Sequence, residues 1–137
     1  MSSKPIQLSV IVPLFNEQDN IGALFQRIQN SVNPLNLNHE IIFINDGSKD
    51  NTLPLVIQLA QQFPEVHFID FSRNFGHQLA ISAGIEYARG EYLVIMDGDG
   101  QDPPEFIPEL YQKANEGFEV VYAKRRKRDG ENFMKKI

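Results

Sequence analysis

The sequence predicts a single α/β domain built on a mostly parallel sheet with helices on both faces. Three observations carry that prediction. Short β-branched runs alternate with segments of helical periodicity, in the order β-α-β-α-β-α-β-α-β, as in right-handed crossover units. The first four strand runs end in polar loops, at Asn16, Asp46, Arg73 and Asp97. The chain has 137 residues, 42% of them apolar, which suits one packed core and hardly more.

Leu8 to Pro13 reads as a buried strand stopped by proline. Asn16 is a candidate cap for the helix that follows, with Glu17 and Asp19 in its first turn. Ile21, Leu24, Phe25 and Ile28 then fall on one helical face, and Asn33-Pro34 breaks the helix. Glu40 to Ile44 is a second strand, and a helix from about Asn51 to Phe63 tolerates Pro54 only in its first turn. Val66 to Phe71 is a third strand. Gln78 to Ala88 is a helix whose Ala80, Ala83, Gly84 and Tyr87 form a small-residue face suited to close packing on a sheet. Glu91 to Met96 is continuously apolar after its first residue and predicts a strand buried on both faces. Pro103-Pro104 opens a helix to about Glu116, and Phe118 to Ala123 is a fifth strand.

Charge divides the chain in two. Residues 1–123 hold 6 basic and 16 acidic groups, whereas residues 124–137 hold 7 basic and 2 acidic ones. The expected organisation is an acidic domain over 1–123 and a basic tail over 124–137. The net charge of −5 makes a poor nucleic-acid binder. With no cysteine, this chain forms no disulfide, thiolate nucleophile or thiolate zinc site. Met1 to Gln7 is polar and lacks the apolar core of a secretory signal. The longest apolar runs fall far below the roughly 20 residues that a membrane span needs.

Asp97-Gly98-Asp99-Gly100-Gln101-Asp102 is the most informative segment. It places three carboxylates in one loop after a buried strand. Carboxylates two residues apart can converge on one hard cation, leaving its other positions to water and phosphate oxygens, as Mg²⁺ is usually held. A calcium loop fails, because position 6 is Asp102 and position 12 is Pro108. An Asp-x-Asp-Gly phosphatase would make Asp97 the nucleophile and Asp99 the acid, but Gln101 stands where that motif wants Thr or Val. A solvated acidic turn is the plain alternative.

The other loops are weaker alone. Asp46 in Asn45-Asp46-Gly47-Ser48 can accept a hydrogen bond from a nucleobase, or simply form a turn. Glu17, after Pro13, can hold a ribose hydroxyl or complement a helix N-terminus. Arg73 and His77 flank a helix start, an arrangement that suits phosphate, although His77 could equally be a surface cap. Lys124-Arg125-Arg126-Lys127-Arg128 fits a phosphate clamp, an anionic membrane surface or a solvated face. No G-x-G-x-x-G, Walker A or G-x-S-x-G motif is present.

Together these segments resemble the inverting, GT-A-fold (Rossmann-like) glycosyltransferases of family 2. The carriers are Ser9 to Pro13 with Asn16-Glu17, Asn45 to Ser48, and Asp97-x-Asp99. Ser72 to Gln78, Met96 to Glu105, and Val120 to Tyr122 with Arg125, Arg128 and Gly130-Glu131 look more narrowly like the polyprenyl-phosphate branch. That branch includes dolichyl-phosphate mannose synthases and bacterial undecaprenyl-phosphate glucosyl and aminoarabinosyl transferases.

The resemblance implies transfer of a sugar, with inversion, from a UDP- or GDP-sugar to polyprenyl phosphate at the cytoplasmic membrane face. It implies that Pro13, Glu17, Asp46, Arg73 and Asp97 bind the donor, with Asp46 facing the base. It further implies that Asp97, Asp99 and Gln101 surround Mg²⁺ or Mn²⁺, that Asp97 and Asp99 are catalytic, and that Arg125 and Arg128 receive the acceptor phosphate. Asn45, Gly98 and Gly100 depart from the family's usual Asp, Ala and Leu, and the two glycines are expected to loosen the metal loop. A phosphate acceptor is already anionic and needs a cationic clamp, whereas a hydroxyl acceptor needs a base. Asp102 or Glu105 would then be the in-chain candidates. Members of the branch continue into interfacial helices, so this chain is expected to keep the donor half and lack part of the acceptor site. A non-catalytic module that binds nucleotide or membrane, and homo-oligomerisation, stay open.

Overall fold

The computed structural model describes residues 4–117, with strands at 121–125 and 132–136. Four strands, β1 (Leu8–Leu14), β2 (His39–Asn45), β3 (Val66–Asp70) and β4 (Tyr92–Ile95), form one sheet in the order β3-β2-β1-β4. All three pairings are parallel. The chain builds outward from β1 to β3 and then crosses back to set β4 on the other side of β1. That reversal makes a topological switch point between β1 and β4, where open α/β sheets bind ligands at the strands' carboxyl ends.

Four helices cover the sheet: α1 (Ile21–Val32), α2 (Thr52–Gln62), α3 (His77–Tyr87) and α4 (Ile107–Asn115). The larger core joins alternate residues of β1 (Leu8, Val10, Val12, Leu14) to Ile21, Leu24, Phe25 and Ile28 of α1, Val56 of α2 and Ile107 of α4. On the opposite face Ile11, Ile42 and Ile44 meet Ala80 of α3. Gly84 lets α3 come close, since a Cβ there would stand 2.5 Å from Ile11 Cγ2. Ala80 and Gly84 of the predicted face are therefore docked, whereas Tyr87 at the helix end is 48% exposed, and helices lie on both sides of the sheet as expected.

Three expectations are corrected. Asn16 does not cap α1, which begins at Ile21 after Asn20. Asn16 instead takes a left-handed conformation, φ 54°, and its Oδ1 accepts from the Lys49 amide at 2.8 Å. Secondly, β4 is not buried on both faces, because Leu93 and Ile95 are 41% and 45% exposed. They lie on the α3 side of the sheet, but α3 packs over β1 and β2. Thirdly, the last predicted strand does not extend the parallel sheet. β5 (Val121–Arg125) pairs antiparallel with an unanticipated β6 (Asn132–Lys136) in a separate two-stranded sheet. Both ends of the expected basic tail are thus strand.

Beneath the sheet's opposite edge lies a polar cluster with no local sequence signal. Ser9 and Glu40 are neighbours in the β1–β2 register and both are fully buried. The Ser9 hydroxyl donates to Glu40 Oε2 at 2.7 Å, and the Arg89 amide donates to the same oxygen at 2.8 Å. The Gly90 amide donates to Ser9 Oγ at 2.8 Å. A buried carboxylate is tolerable only when its oxygens are satisfied in this way.

Candidate active site

The loops that leave β1, β2 and β4 meet at the carboxyl edge of the sheet. Between them, and beside the N-terminus of α3, lies a cleft of about 350 Å³. Pro13, Phe15 and Glu17 line it from the first loop, Asp46 from the second, and Asp97, Gly98 and Asp99 from the third. Asn74, Gly76 and His77 complete the wall. The two aspartates after β4 therefore face the same cleft as Asp46.

Asp46 is held firmly. Its Oδ1 accepts from the Phe75 amide at 2.7 Å and its Oδ2 from the Gly76 amide at 3.2 Å. Asn74 Nδ2 donates to the Asp46 carbonyl at 3.1 Å. The side chain is thus first an anchor for the loop before α3. Its remaining lone pairs are what it can offer a base, because a carboxylate has roughly four acceptor sites. Gly47 makes the approach possible: it has φ +75°, and a Cβ would collide with the backbone of Arg73 and Asn74.

Asn45 explains its departure from the family pattern. Its Nδ2 donates to Asp70 Oδ1 at 2.9 Å, and its Oδ1 accepts from the Ser48 amide at 3.3 Å. An aspartate there would set one carboxylate against another. Gly98 is likewise a close fit: an added Cβ would collide with Leu14 Cδ2 and stand 3.1 Å from the Pro13 carbonyl oxygen.

The first two loops are sewn together. The amides of Asn16 and Glu17 donate to Ser48 Oγ at 2.9 Å and Thr52 Oγ1 at 2.8 Å. The Gln18 amide donates to Asp50 Oδ2 at 3.2 Å. Glu17 is fixed by this web, which no spacing rule in the sequence could reveal because its partners lie more than 30 residues away.

In the third loop the Asp97 amide donates to Asp102 Oδ2, and the Gln101 amide to Asp99 Oδ1, both at 2.9 Å. His77 Nε2 lies 3.3 Å from Asp97 Oδ1. Among the described residues no group of three or more acidic or histidine side chains converges as a metal cage. Two cleft carboxylates fit a hard cation nonetheless, because Mg²⁺ is commonly held by one or two carboxylates plus water and substrate phosphate. Gln101 lies outside the cleft lining. So does Arg73, whose guanidinium stacks 4.1 Å above the Phe75 ring. Arg125 lies at the end of β5 and its side chain is outside the described residues, as is Arg128 entirely.

Glu105, one of the two in-chain candidates for a base, is engaged elsewhere. Arg27 Nε donates to its Oε2 at 2.9 Å and Nη2 to its Oε1 at 2.6 Å. The hydrogen bond from Arg27 holds the Glu105 carboxyl below its ordinary range, which makes it a weaker base. Sequence reading missed Arg27, since its partner lies 78 residues downstream.

The family follows from comparison with known proteins. The profile of Glycosyl transferase family 2 matches residues 9–136. The chain belongs to that family. This family 2 chain is 48% identical over 134 residues to an uncharacterized glycosyltransferase, YkcC, of Bacillus subtilis strain 168, covering 98% of the chain and 42% of that relative. It is 36% identical over 131 residues to an undecaprenyl-phosphate 4-deoxy-4-formamido-L-arabinose transferase of Photorhabdus laumondii, covering 94% of the chain and 40% of the relative.

Among solved structures, residues 1–349 of Staphylococcus aureus TarS in complex with UDP match with a TM-score of 0.61 and 24% identity, over 77% of the chain and 33% of that TarS fragment. The mannosyltransferase PcManGT of Pyrobaculum calidifontis, in complex with GDP-Man and Mn²⁺, matches with a TM-score of 0.61 and 25% identity, over 71% of the chain and 28% of PcManGT. The family 2 chain has the GT-A fold and spans about 42% of the length of the curated relatives it matches first.

Proposed function

We propose that this chain supplies the donor half of an inverting, metal-dependent glycosyltransferase that moves a sugar from a UDP- or GDP-sugar to a polyprenyl phosphate. The observation that carries the reading is the shared cleft, in which Asp46 from one loop faces Asp97 and Asp99 from another. Asp46 with Pro13 and Glu17 would hold the nucleoside, and Asp97 with Asp99 would hold Mg²⁺ or Mn²⁺. Such an ion neutralises the diphosphate as it leaves. The UDP bound by TarS and the GDP-Man and Mn²⁺ bound by PcManGT support a nucleotide-sugar and a divalent cation.

The acceptor reading is supported by the Photorhabdus relative named for undecaprenyl phosphate. It is supported too by the in-chain carboxylates considered as a base: Glu105 is bound bidentately by Arg27, and Asp102 accepts from the Asp97 amide. An anionic acceptor needs no strong base. The cations for it would come from the 124–128 run, with Arg125 and Arg128 on the lipid phosphate, at the cytoplasmic face of a membrane. No helix among the described residues is long and apolar enough to cross one. The phosphatase reading has no support from the family match.

Calorimetric titration of UDP and of GDP, each with and without Mn²⁺, tests the donor site. One nucleotide binds at least ~10-fold more tightly with Mn²⁺, about 1.4 kcal/mol. No metal-dependent heat with either nucleotide would remove the reading.

A further inference from the structure

We infer that Arg27 is a positioning residue, which locks the Asp97–Asp102 loop onto α1 and so fixes the carboxylates that face the cleft. The inference rests on the donor-site reading above and deepens it. Arg27 projects from the middle of α1, and its guanidinium makes three contacts on the far side of the molecule's sequence. Two form the fork on Glu105, which sits in the short turn of 3-10 helix Pro104–Phe106 just past the loop. The third runs from Nη1 to the Gly100 carbonyl oxygen at 3.4 Å, inside the loop itself. A planar guanidinium presents its donors in a fixed fork that suits a bidentate carboxylate with a third acceptor beside it, where a lysine offers a compact point charge.

The loop's own bonds leave this role open. The Asp97 amide to Asp102 and the Gln101 amide to Asp99 close the loop on itself, and His77 at the start of α3 meets Asp97 at the loop's beginning. Gly98, packed against Leu14 and Pro13, fixes its beginning. Arg27 fixes its turn and its exit. The β1–α1 loop that leads into this helix is meanwhile bonded through Gln18 to Asp50 and Asn51 of the β2–α2 loop. The β1–α1 segment thus meets both loops: its loop residues bond the one that carries Asp46, and Arg27 on the helix grips the one that carries Asp97 and Asp99. A site built on rigid elements holds its geometry more closely than one on free loops.

The test uses the full chain as wild type, Arg27→Gln, Arg27→Lys and Glu105→Gln. Amide hydrogen exchange over residues 97–102 is read without ligand, and UDP and GDP are titrated with and without Mn²⁺. Arg27→Gln is expected to speed exchange in 97–102 at least ~5-fold while other segments stay as in wild type. It weakens the Mn²⁺-dependent gain in nucleotide affinity ~3–10-fold and leaves metal-free affinity within ~2-fold. Glu105→Gln, which keeps the Gly100 contact, lies between, and Arg27→Lys recovers part of the loss. Unchanged exchange over 97–102 overturns the inference. So does an equal loss of metal-free and metal-dependent affinity with faster exchange throughout, which marks a merely structural residue. If the wild type binds neither nucleotide with Mn²⁺, the donor-site reading fails, and the exchange measurement still decides whether Arg27 holds the loop.

Discussion

Single side chains at this site do two things at once, and substitutions separate them. Asp46 anchors the loop before α3 through the Phe75 and Gly76 amides and also lines the cleft. Asp97 and Asp99 are half-buried and exposed, and the partners their side chains meet, His77 and the Gln101 amide, lie at the site itself. Asp97→Asn and Asp99→Asn are therefore expected to keep the melting temperature within a few degrees and to remove most metal-dependent nucleotide binding, as read by calorimetry. Asn45→Asp is the converse case. Its amide bond to Asp70 becomes a repulsion between carboxylates, a loss of about 1–2 kcal/mol at neutral pH. Denaturant melts should show the loss shrinking as pH falls and one carboxyl takes a proton; an equal loss at every pH would contradict the account. Asp97, Asp99 and Asp46 were legible in the sequence, because each follows a strand in a loop with glycine. Arg27 and the Asn45–Asp70 bond were not, because their partners are 78 and 25 residues away and leave no local pattern.

At the scale of elements, periodicity located all four helices and the four strands of the main sheet to within a few residues. It failed where tertiary contacts chose the boundary. Asn16 is a good cap by type, yet the neighbouring loop captured its side chain, and α1 starts five residues later. β4 has the composition of a doubly buried strand, but α3 covers only the centre of the sheet on that side.

The buried Ser9–Glu40 pair joins β1 and β2 at the edge away from the cleft. Glu40→Ala would leave the Ser9 hydroxyl and the Arg89 amide without their acceptor, costing about 1–3 kcal/mol for each donor left unsatisfied. Chemical denaturation should show that loss while nucleotide affinity of the folded protein stays the same.

Acid should loosen the loop attachments. The Glu105 carboxyl is held low by its hydrogen bond from Arg27. At Asp50 burial pushes the other way, but hydrogen bonds from the Thr52 side chain and from the Thr52 and Gln18 amides outweigh it and hold that carboxyl low too. Groups depressed on folding contribute stability above their unfolded pKa and lose it as pH falls through the folded one. Stability should therefore be flat from neutral pH to about pH 5 and fall below it. Glu105→Gln with Asp50→Asn should flatten that acid limb.

Over the whole molecule, the alternation of strand and helix was enough to predict a parallel α/β sheet, and the family match and GT-A fold agree with it. The strand order was not legible, since nothing local says on which side of β1 the fourth strand returns. That choice creates the switch point and so places the Asp97 loop opposite the Asp46 loop. The 124–137 region was least legible: charge suggested a tail after a strand at 118–123, whereas β5 pairs antiparallel with β6 at 132–136.

The central claim is that the two loops grip one ligand together, and a crystal grown with Mn²⁺ and UDP, or GDP, tests it most directly. The account predicts anomalous density for manganese at Asp97 and Asp99, with the diphosphate on the metal and the base beside Asp46. A nucleotide bound away from the β1–β4 switch point, or manganese bound without either aspartate, would contradict it.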